Sequence, residues 1–138
     1  SFRPFAPSVL EERVADYFEF DRPSPFMLFV ANVREDRRTL PAITHVDGSA
    51  RLQTISHEQH ELYHGLISAF ERLTGCPVII NTSFNVRGEP IVCTPHDAFA
   101  CFIRTEMDFL VIGSFVVDKR DVGDLPRDEA WKKVYQLD

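Results

Sequence analysis

Four stretches of this 138-residue chain carry side chains whose type and spacing could do chemistry. His60-Glu61-Leu62-Tyr63-His64 spells H-E-x-x-H, in which two imidazoles one helical turn apart bind zinc and the glutamate acts as base. Thr44 to Thr54 gathers hydrogen-bonding side chains around an Asp47-Gly48 turn and returns through Arg51. A planar guanidinium beside hydroxyls suits bidentate binding of a phosphate or carboxylate; the plainer reading is a hairpin whose Arg51 pairs with a surface Asp or Glu. Asn81-Thr82-Ser83-Phe84-Asn85 follows directly on an apolar run, and Gly88 allows a close backbone turn. Strand ends of this kind hold ligand groups in open αβ sheets, and they also occur as polar loops closed by Asn and Ser turns. Finally, Phe2-Arg3-Pro4-Phe5-Ala6-Pro7-Ser8 sets Arg3 among aromatics and prolines that stiffen the chain.

These groups need elements to hold them. Phe26 to Val33 is a continuous apolar run between Pro25 and a charged segment, which predicts a central strand covered on both faces. Ser56 and Gln59 form a capping-box pattern, Leu62, Leu66, Ile67, Phe70 and Leu73 recur at helical spacing, and Gly75 with Pro77 closes the segment. A helix over 57–74 follows, its apolar face centred near Leu66 and Phe70. On that wheel His57, His60 and His64 fall together on the flank left to solvent, and spacing selects no third ligand among Glu71, Glu89 and His96. A solvated histidine face is therefore the ordinary explanation of the zinc pattern, and no metal site is expected in this chain.

Pro77 to Asn81 is β-branched and reads as a short buried strand that delivers the Asn81 to Asn85 run. Thr94 as cap, Pro95 at the first helical position and Asp97 behind it start a second helix to about Arg104, with Ala98, Phe99, Phe102 and Ile103 inward. Asp108 to Asp118 reads as one or two strands broken at Gly113. The whole is a mixed αβ pattern over 1–120, followed by an acidic tail over 121–138 that suggests a short helix around Trp131.

Composition narrows the function. Lys and Arg number 15 against 21 Asp and Glu, a balance of −6 that disfavours general nucleic-acid binding. With 44% apolar residues and twelve Phe, the chain can bury a core. No apolar run nears the roughly 18 to 20 residues of a membrane span, so no membrane partner and a cytoplasmic location are expected. Cys76, Cys93 and Cys101 are odd in number and scattered, which predicts buried free thiols.

Taken together, the Phe2 to Ser8 block, Pro41-Ala42-Ile43-Thr44-His45-Val46-Asp47-Gly48 through Gln53-Thr54, and Asn81 to Asn85 with Gly88-Glu89-Pro90 resemble the C-terminal domain of the NodU/CmcH-type O-carbamoyltransferases. The likeness runs over about residues 1 to 120. It implies a partial YrdC-like domain with a twisted mixed sheet flanked by helices, belonging to a larger enzyme whose N-terminal Kae1-like lobe carries a metal and the acceptor site. It further implies that the YrdC-like lobe uses ATP, with Mg2+, and carbamoyl phosphate to make carbamoyl adenylate, and that the other lobe passes the carbamoyl group to a hydroxyl of a small molecule or sugar. Arg3, Arg51 and Ser83 match motif positions that bind the phosphates and the carbamoyl group, with Arg51 and Ser83 the catalytic candidates; Asn81 and Asn85 are the adjacent polar candidates. No serine nucleophile elbow of the Gly-x-Ser-x-Gly kind surrounds Ser83, so its expected role is positioning. The rivals are a non-catalytic nucleotide-binding or interaction module and, third, a zinc hydrolase built on His60, Glu61 and His64.

Overall fold

The computed structural model describes residues 4–86 and 88–122, which form two compact units dividing between Thr82 and Ser83. Arg3 and nearly all of the acidic tail lie outside the described residues. The fold is mixed αβ, with a four-stranded mixed sheet in the first unit, a two-stranded sheet in the second, and three helices.

In the first unit the strands β1 (Ala6–Leu10), β2 (Phe29–Asn32), β3 (Ser49–Ile55) and β4 (Val78–Asn81) run in the spatial order β2-β3-β1-β4. β1 and β3 are parallel, whereas β2 on β3 and β4 on β1 are antiparallel. β1 is buried along its whole length despite containing Pro7. A proline lacks the N–H an interior strand uses, but the β3 ladder begins only at the pair Ser8 with Gln53, one residue beyond it.

Alternation sorts the side chains of this sheet onto two faces. On one, Val9, Ala31, Ala50, Leu52 and Val78 pack with Val14 and Tyr17 of the single-turn helix α1 (Val14–Tyr17) and with Phe18, Val33 and Ile43. On the other, Leu10 and Ile55 meet Ile67 and Tyr63 of helix α2 (Glu61–Thr74), with Ile79 beside them.

Four expectations are corrected here. The run Phe26 to Val33 yields a four-residue strand at the sheet edge rather than a central one, and Phe26, Leu28 and Val30 stand exposed. Helix α2 begins at Glu61 rather than at 57: Ser56 Oγ accepts only the Gln59 amide, and the cap is His60, whose Nδ1 accepts from the Tyr63 amide. The helix is also turned. Ile67 is fully buried, while Leu62, Leu66, Phe70 and Leu73 are 82%, 58%, 38% and 86% exposed. His64 instead faces inward, its Nε2 2.8 Å from Glu12 Oε1, so the solvated flank holds for His57 and His60 only. Periodicity identifies an apolar stripe, but the sheet selects which side of the helix it takes.

The second unit is built on α3 (Pro95–Arg104) and the antiparallel pair β5 (Phe109–Ile112) and β6 (Phe115–Asp118). Thr94 caps α3 through a complete capping box with Asp97, as the sequence predicts, and Ala98 and Phe102 bury against Leu110. Phe99 and Ile103 pack around that core, half-buried, and the strand break falls at Gly113, at φ +57°. At the other end of α3, the Lys119 ammonium bonds the Phe102 and Thr105 carbonyls and lies over the Phe102 ring, 4.3 Å from its centre. Cys101 is buried, Cys76 half-buried and Cys93 exposed, so burial is the rule for one thiol of three.

Candidate anion-binding site

Arg51 and Gln53 point to the same face of β3, two residues and about 7 Å apart along the strand. Ser8 of β1 is opposite Gln53, and Asn81 of β4 is opposite Ala6 of β1. Alternation along the strands sets Arg51, Gln53, Ser8 and Asn81 on the same face of the sheet.

Hydrogen bonds hold this face together. Gln53 Oε1 accepts from the Ser8 hydroxyl at 2.9 Å and from the Asn81 amide nitrogen at 2.7 Å, and Gln53 Nε2 donates to the Pro25 carbonyl at 2.8 Å. Ser8 is fully buried, so the bond satisfies a hydroxyl that would otherwise be orphaned. The Gln53 amide is thus engaged twice at its oxygen and once at its nitrogen, tying β1 and β4 to β3. Sequence reading passed over Ser8 and Gln53 as site residues; the alternation of Ala50, Leu52 and Thr54 inward against Arg51 and Gln53 outward is the signal that relates Gln53 to Arg51.

Arg51 is exposed, and its guanidinium makes no ion pair or hydrogen bond among the described residues. The hairpin reading required a surface carboxylate for it. The Asp47 carboxylate on the adjoining turn is otherwise occupied: it accepts from the Ser49 amide and hydroxyl, which hold its carboxyl below the usual range. Gly48, at φ +82°, lets the Arg38 guanidinium pack within 3 Å of where a Cβ would sit.

In the second unit, Ser83 is exposed and its hydroxyl donates to Asn85 Oδ1 at 2.7 Å. Asn85 Nδ2 donates to the Val86 and Glu89 carbonyls, so this amide is spent on shaping the loop. The loop is anchored by Phe84 in the core around Phe102, by a bond from the Val92 amide to the Phe84 carbonyl, and by the Arg104–Glu89 pair at 3.1 Å. With its proton donated to Asn85, the Ser83 oxygen presents lone pairs outward. No histidine lies in the loop to act as its partner base, and the Glu89 carboxylate is paired with Arg104.

The H-E-x-x-H pattern has other employment, since His60 Nδ1 caps α2 and His64 Nε2 meets Glu12. Among the described residues no group of three or more His, Cys, Asp or Glu could hold a metal ion, and no helix is long and apolar enough to cross a membrane.

Residues 1–119 match the sequence model of the family described as carbamoyltransferase C-terminus. The chain belongs to that family. Among its relatives, an uncharacterized protein of Synechocystis is 52% identical over 159 aligned positions, covering 100% of this chain and 26% of the relative. The nodulation protein NolO of Bradyrhizobium diazoefficiens is 50% identical over 124, covering 87% and 23%, and the nodulation protein U of Rhizobium tropici is 43% identical over 101, covering 72% and 17%. The chain therefore spans about a quarter or less of the length of these curated relatives. Membership accords with the three sequence blocks that run through β1, through the turn before β3 with β3 itself, and through the segment after β4.

Proposed function

We propose that this chain is the carbamoyl-activating lobe of an O-carbamoyltransferase, and that Arg51 holds the phosphate of its anionic substrate. The observation that carries the reading is a guanidinium, unpaired among the described residues, on the same sheet face as Asn81 and as the Gln53 and Ser8 that lock that face. An arginine guanidinium presents two parallel N–H donors to a phosphate. Asn81, held through Nδ2, is oriented to contact a neutral planar group such as a carbamoyl. Arg3, three residues ahead of β1, is a second candidate for the same charge.

In the reaction proposed, carbamoyl phosphate supplies the carbamoyl group and ATP the adenylate. Water first attacks the phosphorus of carbamoyl phosphate, the P–O bond to the carbamoyl group breaks, and inorganic phosphate and carbamate result; a carbamate oxygen then bonds to the α-phosphorus of ATP, the bond to the β-phosphate oxygen breaks, and pyrophosphate leaves with the electron pair. Charge grows on phosphate oxygens, which is where a guanidinium contributes most. Ser83 offers an acceptor to a donor group of the substrate and remains uncarbamoylated throughout. Mg2+ arrives with the nucleotide, and a hydroxyl of a small molecule or sugar receives the carbamoyl group on the N-terminal lobe of the full-length protein.

Isothermal titration of the full-length protein separates this from the rival module. Both carbamoyl phosphate and ATP should bind, and Arg51→Ala should weaken carbamoyl phosphate at least about tenfold, the equivalent of one charge-assisted hydrogen bond. Binding of ATP alone would identify a nucleotide sensor, binding of neither an interaction module.

A further inference from the structure

Helix α2 wears its most apolar side outward. Leu62, Leu66, Phe70 and Leu73 form one stripe about 80° wide on a wheel of 100° per residue, while the sheet takes Ile67 and Tyr63 from the neighbouring side. The helix is clamped in that orientation rather than free to roll. Its sheet-facing flank is tied down by His64 to Glu12 and by Glu71 to Arg13 at 2.9 Å, and its C-terminus is closed by Gly75 in the left-handed region.

Three features define what fits the stripe. It contains no charged side chain; Glu61 and Arg72 lie only along its rim, which suits an aliphatic or aromatic surface rather than a nucleic acid or a small anion. Gly65 and Ala69 sit on its edge, and a Cβ built on Gly65 would meet nothing within 4 Å, so the stripe borders a shallow groove that a neighbouring backbone can approach closely. Four partly exposed side chains supply only part of the roughly 800 Å² per partner that a stable association of separate molecules takes, whereas a contact within one polypeptide needs no such area. The relatives have ample chain for it, since the matched segment is 26%, 23% and 17% of their lengths.

We infer that the Leu62, Leu66, Phe70, Leu73 face of α2 is an internal docking surface, covered in the full-length protein by an apolar helix or strand from sequence outside residues 1–138 of the same polypeptide. The surface is independent of the substrates proposed above. It also gives Gly65 a purpose that an isolated helix denies it, because glycine in a helix interior is destabilising relative to alanine.

The test is carried out on the full-length protein. A photo-reactive benzoylphenylalanine replaces Leu66, equal amounts of light- and heavy-nitrogen protein are mixed before irradiation, and crosslinked peptides are sequenced. Crosslinks should join position 66 to a peptide outside residues 1–138, each pair carrying a single isotope. Pairs of mixed isotope would make the occupant a second copy, and crosslinks within 1–138 would make it this chain's own residues; either overturns the inference. Because the substitution itself could displace the partner, the unaltered protein is also footprinted with a carbene. Leu62, Leu66 and Leu73 should lose most of the labelling they show in the urea-unfolded protein, and full labelling in the native state would overturn the inference as well.

Discussion

Replacing Gln53 by alanine should loosen the sheet face that presents Arg51, although Gln53 itself contacts no substrate in this account. The substitution removes one acceptor shared by Ser8 and Asn81 and one donor to the Pro25 carbonyl. Three hydrogen bonds at about 0.5 to 1.5 kcal/mol each, one of them protecting a fully buried hydroxyl, give a loss of about 2 to 4 kcal/mol. At 1.4 kcal/mol per decade, amide exchange limited by opening of β1 and β3 should accelerate about thirty- to several-hundred-fold. The assay is hydrogen exchange of the full-length protein read by mass spectrometry on peptides spanning β1, β3 and β4. Gln53→Glu keeps the acceptor but sets a carboxylate against the Pro25 carbonyl, so it should not restore wild-type exchange. Adding Ser8→Ala to Gln53→Ala removes the orphaned hydroxyl, and the double variant should fall short of the sum of the singles by about 1 kcal/mol. Unchanged exchange in Gln53→Ala, or strict additivity in the pair, would refute the shared-acceptor reasoning.

Lys119→Met deletes the donor that closes the carbonyl end of α3 and should lower local stability there by about 1 to 2 kcal/mol, seen as faster exchange in peptides over α3 but not over α2. Asp97 is held below its ordinary value of 3.8 chiefly by its hydrogen bond with Thr94. A depressed carboxylate stabilises the fold above the unfolded value and loses that contribution as pH falls through the folded one, so the stability gap between wild type and Asp97→Ala should narrow below about pH 4; a gap constant down to acid pH would count against it. Arg51→Lys should recover only part of the carbamoyl phosphate affinity lost in Arg51→Ala, because an ammonium lacks the two-pronged geometry, and full recovery in titration would show a point charge to be enough.

What could be read from the sequence was local. Thr94, Pro95 and Asp97 encode their helix start within four residues, and Gly113 marks its hairpin, because caps and turns are satisfied by neighbours in the chain. The sheet was less legible. β1 hides behind Pro4 and Pro7, which argue against an interior strand until the late start of the β3 ladder is known. The run at Phe26 to Val33 and the stripe on α2 are apolar in the way covered elements are, yet within this unit each has one apolar side without a cover, and sequence periodicity carries no record of the partner. The polar face was half legible: Arg51 and Asn81 stand out by type, whereas the bonds from Ser8 and Asn81 to Gln53 join positions 45 and 28 residues apart and follow only from the register.

The account turns on carbamoyl activation at Arg51, and one measurement reaches it directly: release of pyrophosphate from ATP by the full-length protein, with and without carbamoyl phosphate. Wild-type protein should release pyrophosphate only when both substrates are present, and Arg51→Ala, folded as judged by its exchange pattern, should lose at least about nine-tenths of that rate, as expected for removing one charge-assisted contact of about 1.5 kcal/mol or more. No carbamoyl-phosphate-dependent pyrophosphate from the wild type, or an undiminished rate in Arg51→Ala, would contradict it.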